Sequence, residues 1–573
     1  MKTLTDYIKP CIKAMCFGLF LKTTGTLLEL LLPWLLSTII DDVVPTGNTR
    51  MVMILMALMM IFAFGAWALN IMANRNASAV SRDITRNIRH DLFENTLYLS
   101  CEKTDEFTIP SLESRLTSDT YNVHRMISML QRMGVRAPIS MVGGIIMTFL
   151  IEPTLALVFL AVMPFMVILV WIRATKSVPL FTEVQKATDR MVAVVRENAQ
   201  GIRVIKALSR TEYERGRYAN VNHNLKMKEV RANTLMASIN PFMNLFLNLG
   251  MIGVILVGAW RVNAGISESG KILAFLSYFQ MISRSLMAFG RIFIMYSRGI
   301  ASSNRIMEVI NSPTEKDWQT IEDTPEDEEY TISFDHVTFS YLGIRNNLND
   351  LSFRLKKGQS LGLIGATGSG KTTVLSLLLH FYHPTSGTIR VNGKDIRSYE
   401  PSKLRSMFGI VMQNDFLFAE TLKENITFGR EISDEDLHKA IANAQAGEFV
   451  DNLEDGVNHM LTTKGTNLSG GQRQRVLLSR AFAGDPQFLL LDDSSSALDY
   501  QTDAALRKAM ARAFPDATRI IIAQRVSAVR NCDQIIVLDH GNVSGCGSHD
   551  ELLKTNELYA SIAESQMGGA LFD

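Results

Sequence analysis

Three stretches of this chain are so long and so apolar that they leave few folds open. They are residues 51–73 (MVMILMALMMIFAFGAWALNIMA), 154–172 (TLALVFLAVMPFMVILVWI) and 234–260 (TLMASINPFMNLFLNLGMIGVILVGAW). A hydrocarbon core takes about 20 apolar helical residues to cross, and only a helix or a closed barrel satisfies its backbone there. Three weaker stretches complete a set of six. One lies near 14–40, interrupted by Lys22 and Glu29; one spans about 132–151 and turns at Glu152-Pro153; the last covers about 268–298 and carries Arg284 and Arg291. Six crossings leave both termini on the same side.

Lysine and arginine say which side. Residues 74–131 and 173–232 are rich in both, whereas 41–50, 151–153 and 261–270 hold only Arg50 and Arg261. The positive-inside rule makes the basic segments cytoplasmic. Each is about 60 residues long and poor in Gly and Pro, which predicts helices running about 35–45 Å past the bilayer and back at 1.5 Å per residue. Breaks near Pro110–Asp119 and Thr211–Tyr218 mark the expected turning points.

Polar residues inside spans read as functional by default. Lys22 and Glu29 are seven apart and share a helix face, as do Arg284 and Arg291. With Asn244, Asn248 and Gln280 they predict a polar translocation cavity, for which Glu29, Arg284, Asn244 and Asn248 are the candidate lining residues. The alternative has Lys22 and Arg291 snorkelling to an interface while the amides bond between helices.

The apolar fraction of 47% is thus ordinary only on average, and a net charge of +1 gives no reason to expect nucleic acid as a partner. The five cysteines (Cys11, Cys16, Cys101, Cys532, Cys546) have neither metal-ligand spacing nor a disulfide pattern, and read as buried small residues in a reducing compartment. The expected organisation is a membrane domain over 1–312, an acidic exposed linker over 313–330 (including TEKDWQTIEDTPEDEEY), and a soluble α/β domain over 331–573.

In that last domain, 331–341 alternates like a half-buried strand and 359–364 reads as a short buried one. Then comes GATGSGKTT, comprising Gly365, Ala366, Thr367, Gly368, Ser369, Gly370, Lys371, Thr372 and Thr373, before a helix expected at 371–381. A G-x-x-x-x-G-K-[ST] loop between strand and helix curls its backbone N–H groups round phosphates at the positive end of the helix dipole. Lys371 would reach the outer phosphates and Thr372 would ligate Mg²⁺. About a hundred residues later stands LSGGQRQRVLLSRAF (468–482), a second turn opening a helix, followed by FLLLDDSSSALD (488–499), an apolar run that stops at two aspartates.

With these three motifs the chain resembles the ABC transporter superfamily. More narrowly it is similar to a half-transporter of the multidrug-exporter type, six membrane helices fused to one P-loop ATPase domain. The resemblance covers essentially the whole chain. It implies ATP and Mg²⁺ as ligands, a bacterial plasma (inner) membrane location with the ATPase domain and both termini cytoplasmic, and a paired chain. Each ATP would lie between the phosphate loop of one chain and the LSGGQ of the other. Residue by residue, Tyr341 would stack on adenine, and Gly365 to Thr373 would hold the phosphates. Gln413 would link Mg²⁺ or attacking water to the membrane domain, and Ser469, Gly470, Gly471 and Gln472 would close over the partner's ATP. Asp492 would be the acidic residue on the metal side, and Asp499 would signal across the dimer.

Two positions depart from the family pattern. The general base, usually Glu, is Asp493, and the switch histidine is Gln524 in IIIAQRVSAV. A softer departure is TTKGTNLSGG (462–471), which lacks an acidic residue often seen before the signature. Losing a methylene withdraws the carboxylate by roughly 1.5 Å, and misplacement on the order of 1 Å can cost about a hundredfold in rate. Glutamine can still donate to a phosphate but carries no titrating proton. Both changes should spare binding and weaken hydrolysis, and both fall in one composite site. That pattern is similar to the heterodimeric bacterial exporters, and implies a homologous partner with Glu and His at the two positions. An active homodimer using Asp493 as base, an ATP-gated regulator or channel, and an importer on the same fold stay open. Cargo is a small molecule, lipid or peptide; the six spans exclude a soluble relative acting on nucleic acid.

Overall fold

The computed structural model describes residues 1–323, 329–341, 343–413 and 415–567. The chain divides into two compact units. One comprises residues 1–97 and 107–312, the other 98–106 and 313–573.

The first unit is helical. Helices Ile12–Thr38, Thr49–Tyr98, Thr120–Ile151, Pro153–Gln200, Ile239–Asn263 and Ser269–Ile310 correspond to the six expected spans, the fifth of which is interrupted at Ser238, so that residues 234–237 end the preceding helix. Five helical stretches are long and apolar enough to cross a membrane among the described residues. Helix Ile12–Thr38, which carries Lys22 and Glu29, is not one of them. The 50 residues of Thr49–Tyr98 run about 75 Å at 1.5 Å per residue, more than twice a hydrocarbon core of about 30 Å. Small residues let the helices approach closely: a Cβ on Gly144 would lie 2.7 Å from Ile282, and one on Gly299 would lie 2.4 Å from Met126.

The turning points differ from expectation. The first excursion breaks at Leu99–Ser100 and at Thr108, whose φ is +63°, while Arg115–Asp119 is a π-helical turn that continues into the next helix. The second breaks around Gly201 and Leu208–Arg210, ahead of helix Thr211–Ala237. Residues 98–106, expected in the membrane domain, cluster with the second unit. The residues expected to form an exposed linker also pack there. Trp318 lies against His380 and His383, the backbone N–H of Ile321 donates to Arg397, and Asp323 accepts from the backbone N–H of Asp395. Residues 324–328 of that stretch lie outside the described residues. Of the five cysteines only Cys532 is buried, so the buried reading fails for the other four.

The second unit holds two sheets. Strands β1 (Tyr330–Phe339), β2 (Leu348–Lys356), β4 (Ser386–Val391) and β5 (Lys394–Asp395) form an antiparallel sheet in the order β2-β1-β4-β5. Strands β3 (Ser360–Gly365), β6 (Phe408–Val411), β7 (Phe488–Asp492), β8 (Thr518–Ile522), β9 (Gln534–Asp539) and β10 (Asn542–Gly547) form the other. Its order is β10-β9-β3-β8-β7-β6, parallel except for β10. β3 and β7 are buried along their whole length, as unbroken apolar runs in a covered parallel sheet must be.

Candidate functional site

In open parallel sheets, ligands sit beyond the carboxyl ends of the strands. Four neighbouring strands deliver functional groups there. β3 leads into the glycine loop, β8 into Ala523 and Gln524, β7 ends on Asp492 and passes to Asp493, and β6 is followed by Gln413. Their ends, with Thr367, Gly368, Gly370, Lys371, Thr372 and Thr373, line a cavity of ≈ 180 Å³. Whole small-molecule ligands take cavities of about 300–1,000 Å³, so this cup suits a phosphate chain with the rest of a nucleotide outside it.

The loop's backbone explains its glycines. Gly365 has φ +156° and a Cβ there would lie 2.1 Å from the Leu538 carbonyl oxygen; Gly370 has φ +102° and would meet the Asn347 carbonyl at 2.6 Å. Gly368, at φ +81°, has open space around its would-be Cβ, a cradle that a phosphate can fill. Gly370 caps helix Lys371–Leu378, which ends three residues short of the expected 381, where His380 takes φ +54°. Lys371 Nζ donates to the carbonyls of Gly365 (2.9 Å) and Ala366 (2.8 Å) and reaches Ser369 Oγ at 3.4 Å. Burial pushes its ammonium pKa down despite Asp492 and Asp493 nearby.

Thr372 Oγ1 donates to Asp492 Oδ2 at 2.7 Å. Burial pushes the Asp492 carboxyl up, against the pull of that hydrogen bond. A hydroxyl, a buried carboxylate and the Gln413 amide at one cavity wall are hard oxygen donors of the kind Mg²⁺ takes, and a divalent cation would relieve the cost of the buried charge. The residues present therefore fit both a nucleotide phosphate chain and its metal.

Asp493 and Gln524 both line this cavity. Asp493 holds φ +51°, and neither side chain has a hydrogen-bond partner among the described residues. Tyr341 stands outside the cavity wall, with its hydroxyl 3.4 Å from Thr373 Oγ1 and its ring edge-on to Phe339 and Tyr382.

The signature residues lie apart from the cavity. Ser469 caps helix Gly470–Phe482 through a reciprocal bond with Gln472, and Gly471 lies against the Ala497 carbonyl. Asp499 caps helix Tyr500–Ala513, accepting from the Thr502 backbone N–H at 2.9 Å and hydroxyl at 2.7 Å, bonds that hold its carboxyl below the usual range. In the membrane unit, Arg284, Asn244 and Asn248 are exposed, while Glu29 accepts from Arg136 and Asn70. Lys22 does not snorkel: it is buried and donates to Asn74 at 3.1 Å.

Three contributors are given no role by the sequence. Asn347 lines the cavity through a loop that only the fold brings there. Gln474 braces the loop after β7, donating to the Asp493 carbonyl (3.3 Å) and Ser496 (2.9 Å) while accepting from Ala497 N–H (2.9 Å). Gln566 donates to the Gln524 carbonyl at 2.7 Å and accepts from Val526 N–H at 2.8 Å. Gln474 lies in the LSGGQRQR stretch, where its repeat of Gln472 is the available signal; nothing in the sequence points to the other two.

Comparison with known proteins gives the same architecture. The family model "ABC transporter transmembrane region" matches residues 15–286, and the family model "ABC transporter" matches 348–496. The chain is 33% identical over 572 residues to the uncharacterized ABC transporter ATP-binding protein YfiB of Bacillus subtilis, covering 99% of both chains. It is 31% identical to the uncharacterized ABC transporter ATP-binding protein Rv1273c of Mycobacterium tuberculosis, covering 98% of this chain and 97% of that one. Among solved structures, a bacterial Atm1-family ABC exporter with ATP bound superposes with a TM-score of 0.81 over 98% of this chain and 99% of that one, at 23% identity.

Proposed function

This chain belongs to the ABC transporter family, a membrane-spanning helical domain fused to an ATP-binding domain, and we propose that it is one half of a heterodimeric exporter. Its own site binds ATP and turns it over slowly. Its Ser469–Gln472 signature completes the hydrolysing site of a homologous partner that carries Glu and His where this chain has Asp493 and Gln524. The ATPase domain and both termini face the cytoplasm of a bacterial cell, with the spans in its plasma membrane.

One observation carries the reading: both altered residues line the cavity built by Lys371, Thr372 and Asp492, while the signature lies elsewhere on the domain. On this reading both changes weaken one site, while the LSGGQ residues that serve the other are unchanged. In the weakened site Lys371 and the loop N–H groups bind and orient the phosphates. Asp493, one methylene short, holds water poorly for attack, and Gln524 donates a hydrogen bond without exchanging a proton. Mg²⁺, when bound, would be held by Thr372, Asp492 and Gln413 and would neutralise developing charge on the phosphates. Binding between the paired domains drives the membrane helices, and hydrolysis at the partner's site resets them.

The test is ATP hydrolysis by the chain alone and with its partner in vesicles. Little turnover alone, restoration by the partner, loss of nearly all activity on changing the partner's catalytic Glu, and little effect of Asp493→Ala are expected. Vigorous turnover by the chain alone, abolished by Asp493→Ala, would establish the active homodimer instead. ATP-dependent uptake into inside-out vesicles separates export from import and from a channel.

A further inference from the structure

The membrane unit concentrates positive charge at one level of its spans. Two close approaches set the register of helices Thr120–Ile151 and Ser269–Ile310: Gly144 faces Ile282, and Gly299 faces Met126. A third, Gly143 against Leu30, sets the register of helix Ile12–Thr38. Carried along the helices, these contacts put Glu29 level with Arg284. They put Lys22, Arg136 and Arg291 together one layer nearer the cytoplasm, about 10 Å lower at 1.5 Å per residue. Counted down from Thr38, both layers fall within about 25 Å of the outer end, inside a core of about 30 Å.

The charges do not balance. At these two levels Glu29 is the lone carboxylate among the described residues, and it is already engaged by Arg136 at 2.9 Å and Asn70 at 3.1 Å. Among the described residues Lys22 donates only to the Asn74 amide. Helix Ser269–Ile310 buries Phe275, Phe279 and Ile282, and leaves Arg284 and Arg291 exposed on other faces, with no ion pair among the described residues. An exposed arginine at this depth does not face hydrocarbon; it faces water, a partner or a bound anion. Apolar side chains flank the pair, with Phe289 and Phe293 both exposed.

We propose that the cargo is an anionic amphiphile, its head held by Arg284 and Arg291 and its tail by the apolar surface beside them. This rests on the reading of the membrane unit as a translocation path. One carboxylate against four cations at the two levels disfavours a cationic cargo and leaves an anionic head as the group that neutralises the layer.

The test uses the full-length chain assembled with its partner in phosphatidylcholine nanodiscs and vesicles. Three fluorescent probes are compared: a dodecyl chain ending in sulfonate, the same chain ending in trimethylammonium, and the sulfonate without its tail. Nanodisc binding, read without ATP, is expected to favour the dodecyl sulfonate over each of the others by about tenfold or more. Arg284→Gln should weaken sulfonate binding, Arg284→Lys should keep most of it, and Arg284→Glu should shift preference toward the ammonium. Equal or stronger binding of the ammonium probe, equal binding of the tail-less sulfonate, or a sulfonate preference unmoved by Arg284→Glu and by Arg291→Glu would overturn the inference. The last outcome would leave acidic groups of the partner as the neutralising charges. ATP-driven uptake is scored separately: selective binding without uptake counts against the exporter reading and not against the anionic site.

Discussion

Tyr382 donates its phenolic hydrogen to Asp105 at 2.6 Å. Asp105 belongs to the short helix Cys101–Phe107, which the chain inserts between two long helices of the membrane unit, yet residues 98–106 cluster with the nucleotide-binding unit. The same anchorage has two further ties, Lys316 over the Tyr98 ring at 3.5 Å and a bridge between Leu99 and Thr314. Tyr382 itself sits next to Tyr341 and Phe339, close to the phosphate loop's helix. A hydrogen bond to a charged group contributes about 1.5–3 kcal/mol. Tyr382→Phe should therefore speed amide exchange across residues 98–106 by about tenfold or more. In the assembled transporter it should cut uphill uptake more than ATP hydrolysis, and measuring both on one preparation checks it.

The Thr372–Asp492 pair predicts effects of opposite sign. Burial raises the Asp492 carboxyl pKa, so its charge at neutral pH costs the nucleotide-free protein stability. Asp492→Asn removes that charge and keeps the shape. Without nucleotide, thermal unfolding should move up by a few degrees, in keeping with about 1 kcal/mol. The upward shift produced by ATP with Mg²⁺ should shrink, and the shift produced by ATP in a chelator should change little. Differential scanning fluorimetry under the three conditions checks all of it.

Much of this was legible in the sequence, and the failures have physical causes. Long apolar runs and the GATGSGKTT loop carry their structure locally, since backbone satisfaction in lipid and phosphate cradling each fix a short segment. Packing between segments far apart in the chain has no local signature. Residues 98–106 lie inside a basic helical excursion, and only partners such as Tyr382 and Thr314 decide which unit they join. The acidic stretch after 312 reads as solvated, yet Trp318 finds two histidine rings and Asp323 finds the backbone of Asp395. Lys22 reads as a cavity lysine, or alternatively an interfacial one, until Asn74, 52 residues away, supplies an acceptor.

Gln566 holds the loop that carries Gln524 from both sides, at the Gln524 carbonyl and the Val526 N–H. Two neutral hydrogen bonds contribute about 0.5–1.5 kcal/mol each. Gln566→Ala should raise amide exchange at 524–526 several-fold without unfolding the domain. ATP affinity should fall only a few-fold, because Lys371 and the glycine loop stay in place. Hydrogen exchange with and without ATP distinguishes this from a general loss of the C-terminal helix, which would also expose Tyr559.

His380 predicts how the nucleotide-binding unit responds to acid. It is buried beside His383, Arg405 and Trp318, its Nδ1 has no partner among the described residues, and burial, with His383 and Arg405 adding, pushes its pKa down to about 3. Asp395 opposes that shift and does not overcome it. The folded ring stays neutral while the unfolded ring takes a proton near pH 6.5, so the unfolded state binds more protons between those values. Stability is therefore complete above about pH 6.5 and is lost as pH falls toward 3, at about 1.4 kcal/mol per pH unit. At pH 5 the loss from this group is about 2 kcal/mol relative to pH 7. His380→Gln lowers stability at neutral pH by disturbing the Trp318 contact, but it should flatten the acid limb, so unfolding midpoints of the variant change less between pH 7 and pH 5 than those of the parent. Chemical denaturation of the full-length protein across that range, parent against variant, gives the slope directly.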